Sequence, residues 1–313
     1  GSITAASVKD YPVDLSHFNI LGTAVGAHGV AADSDVAIFS NVDVSTKIGN
    51  NKDLKLLAPF IIPGLGSTDI AKRHWESLIQ GTAISGTVLT VGENIVGMDK
   101  NAVIKNGNVV HSPDLIDRVQ SFKTWQVAPD TGAIVVQENV EDSRLGVLEY
   151  AIRELGVQWV ELKWGQGAKN IGGEVKVRDL DKAKMLKKRG YIVMPNPEEP
   201  EVVEAFTKRA FKEFERHSRL GMVTEENFAK RVASLRKAGA KYISLKTGAY
   251  RPADLARALK FCSDNKVDVL VVDAAGGGTG MSPWRMMNEW GVPFVELMSL
   301  LYQYAKILDE KGK

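Results

Sequence analysis

The sequence predicts an α/β protein built on a parallel sheet. Two observations carry this reading. Six segments read as an apolar strand followed by a helix, which is the pattern of parallel α/β proteins. Polar or glycine-rich residues then recur where those strands end, the place where both barrels and doubly wound sheets bind ligands. At 313 residues the chain could form one large α/β barrel or two ordinary domains.

Residues 1–55 form a mixed entry segment, in which one or two short strands are expected. His17 and His28 read as structural or solvent-facing. The first unit is Pro59 to Gly66, after which Ser67-Thr68-Asp69 open a helix from about Ile70 to Ser85. A second strand follows Gly86, with Thr90 to Asn94 as the loop at its carboxyl end. Val96 to Ser121 reads as an excursion, with a hairpin signal at Asn106-Gly107-Asn108. The third strand is Ala133 to Gln137, followed by a helix from about Asp142 to Leu155.

Val157 to Lys163 is the fourth strand. It runs into the dense loop Trp164 to Gly173, whose Lys, Gln and Gly differ from ordinary turn chemistry. Asp179 to Tyr191 reads as a charged helix, and Pro195-Asn196-Pro197 breaks the chain. Glu201 to Arg219 and Thr224 to Gly239 read as two amphipathic helices. The fifth strand is Tyr242 to Lys246, and Pro252 opens the next helix. The sixth unit is Val267 to Trp284, an apolar strand leading to Gly276, Gly277, Gly278 and Gly280. Ser282 and Pro283 then read as N-cap and first residue of a helix. Glycines let backbone N–H groups approach a ligand closely. Met281 spoils the dinucleotide fingerprint, and no Gly-Lys-Ser/Thr follows to make a phosphate loop.

Composition narrows the function classes. Hydrophobic residues are 44% of the chain, enough for a substantial core, and the net charge of +2 gives no case for a nucleic-acid partner. The single cysteine, Cys262, excludes an internal disulfide framework and reads as a small core residue. The five histidines show no metal-ligand spacing. No apolar run approaches the ~20 residues of a membrane span, and no signal peptide is read. The expectation is a cytoplasmic protein. Neither a G-x-S-x-G elbow nor a carboxylate-rich Mg²⁺ motif is present.

The strand-end loops carry a resemblance. Lys163-Trp-Gly-Gln-Gly-Ala-Lys169 resembles the K-x-x-Q-G-A-K-P-G segment of the flavin domain of glutamate synthase. In the same order, Thr90 to Asn94 resembles that family's N-T-G-E-G, and Ile243 to Lys246 its V-S-V-K. Gly277 to Pro283 resembles G-G-T-G-A-S-P, and Gly291 to Glu296 resembles G-L-P-W-E. The resemblance covers about residues 42–304 and implies a TIM-type (β/α)₈ FMN barrel over residues 56–313, of which this chain supplies about six βα units. It implies hydride transfer from reduced FMN to the imine of 2-oxoglutarate and ammonia.

Site roles follow from the same resemblance. Glu93 and Lys163 are the implied catalytic residues, with Lys163, Gln166 and Lys169 meeting the substrate carboxylates. Gly64, Leu65, Gly66, Ser67, Thr90, Gln166, Lys246, Gly276, Gly277, Gly278 and Thr279 are the implied flavin contacts. Lys246 is expected to favour the reduced flavin, whose N1/C2=O edge accumulates negative charge.

Departures occur at Leu65 to Thr68, at Asn170-Ile171 and at Asp273 to Gly276. They keep open an FMN-barrel oxidoreductase acting on another amine or oxo acid, and a non-catalytic subunit. Two further βα units are expected from a second chain or further residues. An electron donor and an oligomeric assembly are expected too, with any iron–sulfur cluster held outside this chain.

Overall fold

The computed structural model describes residues 9–22, 35, 42–165, 173–221, 223–248, 250–275 and 284–313. Six strands, Ile61–Leu65, Val88–Val91, Ala133–Glu138, Trp159–Lys163, Tyr242–Thr247 and Val269–Val272, form one sheet. All neighbours are parallel. Their spatial order is their chain order, so every new strand joins the same growing edge. A doubly wound sheet reverses direction at a switch point. No reversal occurs here, and the sheet is a curled half-barrel of the TIM type.

The two faces of the sheet separate by the period of two. Leu89, Val91, Ile134, Val136, Val160, Leu162, Ile243 and Leu245 face outward, into the main apolar core. There they meet Ile79 and Ala83 of helix Asp69–Ser85, Val119 and Phe122 of Pro113–Trp125, and Leu148 and Ala151 of Val147–Arg153. Phe228 and Leu235 of Glu225–Ala238 and Phe261 of Pro252–Asp264 complete this layer. Cys262 is buried in it, and burial pushes its thiol up to about 12, so it is an inert core residue as its sequence context implies.

Inside the curl, inward residues near the amino ends of the middle strands, Val88, Val135, Trp159 and Tyr242, pack on Leu54 and Leu56. These two leucines come from a hairpin, Thr46–Ile48 with Leu54–Leu56, which gives the entry segment its two short strands. The hairpin is an apolar plug at the amino ends of the strands. It forces any polar chemistry to the other end.

Three elements differ from the sequence reading. The predicted helix over Glu201 to Arg219 is a helix only over Pro200–Thr207, and Phe214–His217 is a strand. In that strand Phe214 and Arg216 are buried while Glu215 and His217 are not, a period of two that the surrounding charges conceal. It lies between Ile192–Met194 and Glu174–Val177 in a small antiparallel sheet. The sheet packs with helix Leu180–Lys188 around Val177, Ala183, Leu186, Tyr191, Val193 and Phe214. Residues 174–217 are therefore an inserted unit.

Secondly, the excursion holds the predicted hairpin, Val103–Lys105 with Asn108–His111, but also helix Pro113–Trp125, which starts at Ser112-Pro113. Thirdly, the helix expected over Asp142 to Leu155 is broken between Val140–Arg144 and Val147–Arg153. Gly146 makes the break with φ 66°, and a Cβ there would fall 2.7 Å from Asn108 Oδ1. The cap expected at Ser282-Pro283 falls outside the described residues.

The inserted unit docks on the barrel through a close approach. Gly97 of helix Ile95–Met98 faces Tyr191, and a Cβ at Gly97 would lie 1.7 Å from the Tyr191 hydroxyl oxygen. Tyr191 is 2% exposed, so the ring has little room to retreat. Gly97→Ala is expected to destabilise the fold by about 1–3 kcal/mol, the usual range for overpacking. Urea unfolding monitored by tryptophan fluorescence measures this, and an unchanged midpoint would show that the docking is looser than described.

Candidate active site

Above the apolar plug the inner face turns polar. Gln137, Glu161 and Ser244 are next in line on the third, fourth and fifth strands, and all three are buried. Gln137 Nε2 donates to Glu161 Oε1 at 2.6 Å, and Ser244 Oγ donates to Glu161 Oε2 at 2.9 Å. Trp159 Nε1 donates to Ser244 Oγ at 3.0 Å, which ties this layer to the one below. Burial pushes the Glu161 carboxyl up, against the pull of the Gln137 and Ser244 hydrogen bonds and of Lys246 and Lys163. Gln137 Oε1 has no hydrogen-bond partner among the described residues.

One step further along the strands stand two lysines. Lys163 ends the fourth strand and Lys246 is its register partner on the fifth. Lys163 Nζ meets Glu93 Oε1 at 3.0 Å, with side chains 8% and 10% exposed. Lys246 Nζ lies 3.4 Å from Asp273 Oδ2, at the end of the sixth strand. Burial works to raise the Glu93 carboxyl, but Lys163 beside it, with a further contribution from Lys246, holds it below its ordinary value. The site is thus two cations side by side at the carboxyl ends of the strands, each answered by one carboxylate.

Of the predicted residues, the structure brings Glu93, Lys163 and Lys246 together. Thr90 is buried in the second strand. Gly64 has no room for a side chain, because a Cβ would fall 2.9 Å from Gln137 Oε1. The backbone of Gly66 presses on Gly92, where a Cβ would lie 2.6 Å from Gly66 N. Gly66 therefore serves close packing against Gly92 at the end of the second strand, and Gly64 makes room for the Gln137 side chain from the third. The Leu65 side chain packs against the outer core, and its carbonyl accepts from Gly92 N at 2.8 Å, so only its backbone borders the inner face. Ser67 lines a separate cleft of about 580 Å³ with Lys72 and Arg118, between the barrel and the inserted unit. Gln166, Lys169, Gly276, Gly277, Gly278 and Thr279 lie outside the described residues.

Sequence reading missed Gln137, Glu161 and Asp142. The first two had a signal: Val-Val-Gln-Glu closes an apolar strand with two polar residues, and Trp-Val-Glu-Leu-Lys interrupts one with polar residues at every second place. Asp142 had none, since its role depends on distant partners. It is 1% exposed, and its Oδ2 accepts from Asn94 N at 2.9 Å and Asn139 N at 3.3 Å. Burial raises its carboxyl to about 7, the two backbone N–H bonds work against that, and Glu93 and Glu138 add repulsion. Glu138 and Glu141 have their own cations, Arg231 at 2.6 Å and Arg219 at 2.8 Å.

Among the described residues there is no group of three or more His, Cys, Asp or Glu that could hold a metal ion. No described helix is long and apolar enough to cross a membrane.

Residues 216–310 match the family described as the conserved region in glutamate synthase. The match spans the fifth and sixth strands, and with them Lys246 and Asp273, and it supports membership of that family. It is shorter than half the chain. No curated protein matches the sequence. Among solved structures the chain is similar to a type I 3-dehydroquinate dehydratase from Clostridium difficile, with 11% identity and a TM-score of 0.29 over 85% of this chain and 99% of that one. It is also similar to the carboxyl transferase domain of Rhizobium etli pyruvate carboxylase, with 10% identity and a TM-score of 0.26 over 78% of this chain and 43% of that one. Likenesses this slight decide nothing about chemistry, and the half-barrel rests on its strand order.

The Asp142 environment gives a pH dependence with a definite sign. Its folded value of about 7 lies above the ordinary aspartate value of 3.8, so its contribution to stability is fully present below the unfolded value and is lost as pH rises through the folded one. Asp142→Asn keeps an acceptor for the two N–H groups and removes the titration. The stability of this variant relative to wild type is expected to climb from about pH 4 to about pH 7. Parallel denaturant melts across that range measure it, and a pH-independent difference would contradict the assigned environment.

Proposed function

We propose that this chain is the FMN-binding half-barrel of a glutamate synthase-type oxidoreductase, which aminates 2-oxoglutarate reductively to glutamate. One observation carries the reading most of the way. Lys163 and Lys246 stand in register on adjacent strands, both buried at the carboxyl rim and both pointing inward. Each is answered by one carboxylate, and charged groups gathered so closely at a strand-end rim favour a functional site. The family match at residues 216–310 supports the same assignment.

The residues present fit a flavin. Lys246 offers a positive charge to a ring edge that becomes negative on reduction, and the first strand ends in Gly64-Leu65-Gly66, where little side chain obstructs the rim. Gly276, Gly277, Gly278 and Thr279 are further flavin contacts in this reading. When bound, FMN supplies the hydride that reduces the imine of 2-oxoglutarate and ammonia. Lys163, with Gln166 and Lys169, binds and orients the two substrate carboxylates. Glu93 is held ionised by Lys163, so it accepts and orients the N–H groups of ammonia or ammonium and takes the proton released as C–N bonding proceeds.

Among the described residues, the first and sixth strands each have one neighbour in the sheet. In this reading further strands, from a longer chain or a second polypeptide, close the barrel across those edges, and the electron donor and any iron–sulfur cluster lie beyond residues 1–313. An unclosed parallel edge is a pairing surface.

Purified protein, alone and with added FMN, is expected to show flavin absorbance. Reduced flavin is expected to be reoxidised by 2-oxoglutarate with ammonia. Protein that stays colourless in every preparation, including with the closing strands supplied, would overturn the assignment. Lys163→Ala is expected to keep its flavin while KM for 2-oxoglutarate rises roughly tenfold or more, the cost of one charged hydrogen bond. Lys246→Ala is expected to lose flavin or shift its potential. Wild-type flavin content and kinetics in both variants would remove the lysine pair from the site.

A further inference from the structure

Glu93 sits in the loop between the second strand and helix Ile95–Met98, and the residue after it is held from three sides. Asn94 is 4% exposed and adopts φ 65°, ψ 12°, the left-handed region that Asn enters more readily than other residues with a side chain. Its backbone N–H donates to Asp142 Oδ2 at 2.9 Å. Its side-chain Oδ1 accepts from Asn139 Nδ2 at 3.2 Å and from the Tyr191 hydroxyl at 3.1 Å. Ser218 Oγ, at 3.5 Å, is at the limit of a hydrogen bond.

Two of these donors belong to the inserted unit or its exit. Tyr191 lies in the core of that unit, and its hydroxyl occupies the space left by Gly97. The Arg216 guanidinium covers the Tyr191 ring at 5.1 Å and donates to Ser218 Oγ at 2.8 Å. The inserted unit thus ends in a rigid polar finger on the side chain next to Glu93. The Glu93–Asn94 peptide plane is shared by both residues, so fixing Asn94 in one basin fixes the plane from which the Glu93 Cα departs and narrows the directions open to its side chain.

We propose that Asn94 is a positioning residue through which the inserted unit, by way of the Tyr191 hydroxyl, holds the Glu93 carboxylate against Lys163. This rests on the proposed role of Glu93 as the group that handles ammonia protons. The charged groups facing Glu93 are Lys163 from the fourth strand, Lys246 from the fifth, Asp142 from the helix after the third and Arg216 from the inserted unit. Lys163 is the one at ion-pair distance. If Glu93 swings away from Lys163, burial and Asp142 remain to raise its carboxyl.

The test follows the Glu93 carboxyl directly. Carboxyl-labelled glutamate is incorporated, the Glu93 carbon signal is assigned by its loss in Glu93→Gln, and its titration is recorded by NMR. Asn94→Gly keeps the left-handed backbone and removes the amide, whereas Tyr191→Phe keeps the ring and removes the hydroxyl. Both are expected to raise the Glu93 midpoint by about one pH unit, the effect of weakening one close charge pair, while thermal melts stay cooperative. An unchanged midpoint in both, or a rise in Asn94→Gly alone, overturns the proposal, because the inserted unit then exerts no hold. A rise in both variants of a protein that does not turn over 2-oxoglutarate leaves the positioning intact and defeats the proposed reaction instead. Turnover by wild type with unshifted variants does the reverse.

Discussion

Lys163 and Lys246 are register partners on adjacent parallel strands, so their backbones are held about 4.8 Å apart and both side chains leave on the inner face. Two ammonium groups so placed repel each other and have both lost most of their water. The rest of the upper half-barrel can be understood as the answer to that constraint. Glu93 comes in from the second strand's loop at 3.0 Å to one lysine, and Asp273 from the end of the sixth strand at 3.4 Å to the other. Glu161 lies two residues below Lys163 on the same face and feels both lysines. Breaking one partner out of such an arrangement leaves a buried charge uncompensated, which is far more destabilising than losing a surface pair.

The arrangement requires a dry floor and a rigid middle. Leu54 and Leu56 plug the amino ends of the strands against Val88, Val135, Trp159 and Tyr242. Trp159 belongs to that floor, yet its indole N–H bonds Ser244, which bonds Glu161, which also receives Gln137. Apolar packing at the bottom is thereby connected to charge placement at the top by three hydrogen bonds with defined direction. Buried networks with directed hydrogen bonds favour one arrangement over its neighbours, and here Gln137 Oε1 is the acceptor left without a partner among the described residues. The layering is steep. Along the fourth strand an indole, a carboxyl and an ammonium occupy successive inward places.

The strand grammar was legible from the chain because buried parallel strands are short apolar runs and their ends are polar. The six strands fall where the runs lie, and the lysines at positions 163 and 246 stand out as charges closing such runs. What stayed hidden was set by distance along the chain. Phe214–His217 looks helical among its charges, and only its partners at Ile192–Met194 and Glu174–Val177 make it a strand. Asp142 looks like one of several acids opening a helix, and only Asn94, 48 residues earlier, gives it a site role. Gly64 and Gly66 read from the chain as flavin contacts, and the spatial reason they must be glycine, the approach of Gln137 to one and of Gly92 to the other, comes from residues distant in sequence.

Three buried carboxyls near the rim end in different protonation regimes, and this separation is the strongest electrostatic statement the site makes. Glu93 is kept low by a lysine at contact distance. Glu161 is pushed up by burial although two side chains donate to it. Asp142 is raised to about 7 by burial, against the pull of its two backbone N–H donors, and Glu93 itself is among the charges that repel it. The ordering is self-consistent. An ionised Glu93 disfavours the charged form of Asp142. Environments that push neighbouring carboxyls apart in this way divide the work of holding and giving up protons. At neutral pH the rim therefore presents two cations and an ionised Glu93 to the space above it, with a carboxyl close to its midpoint directly behind.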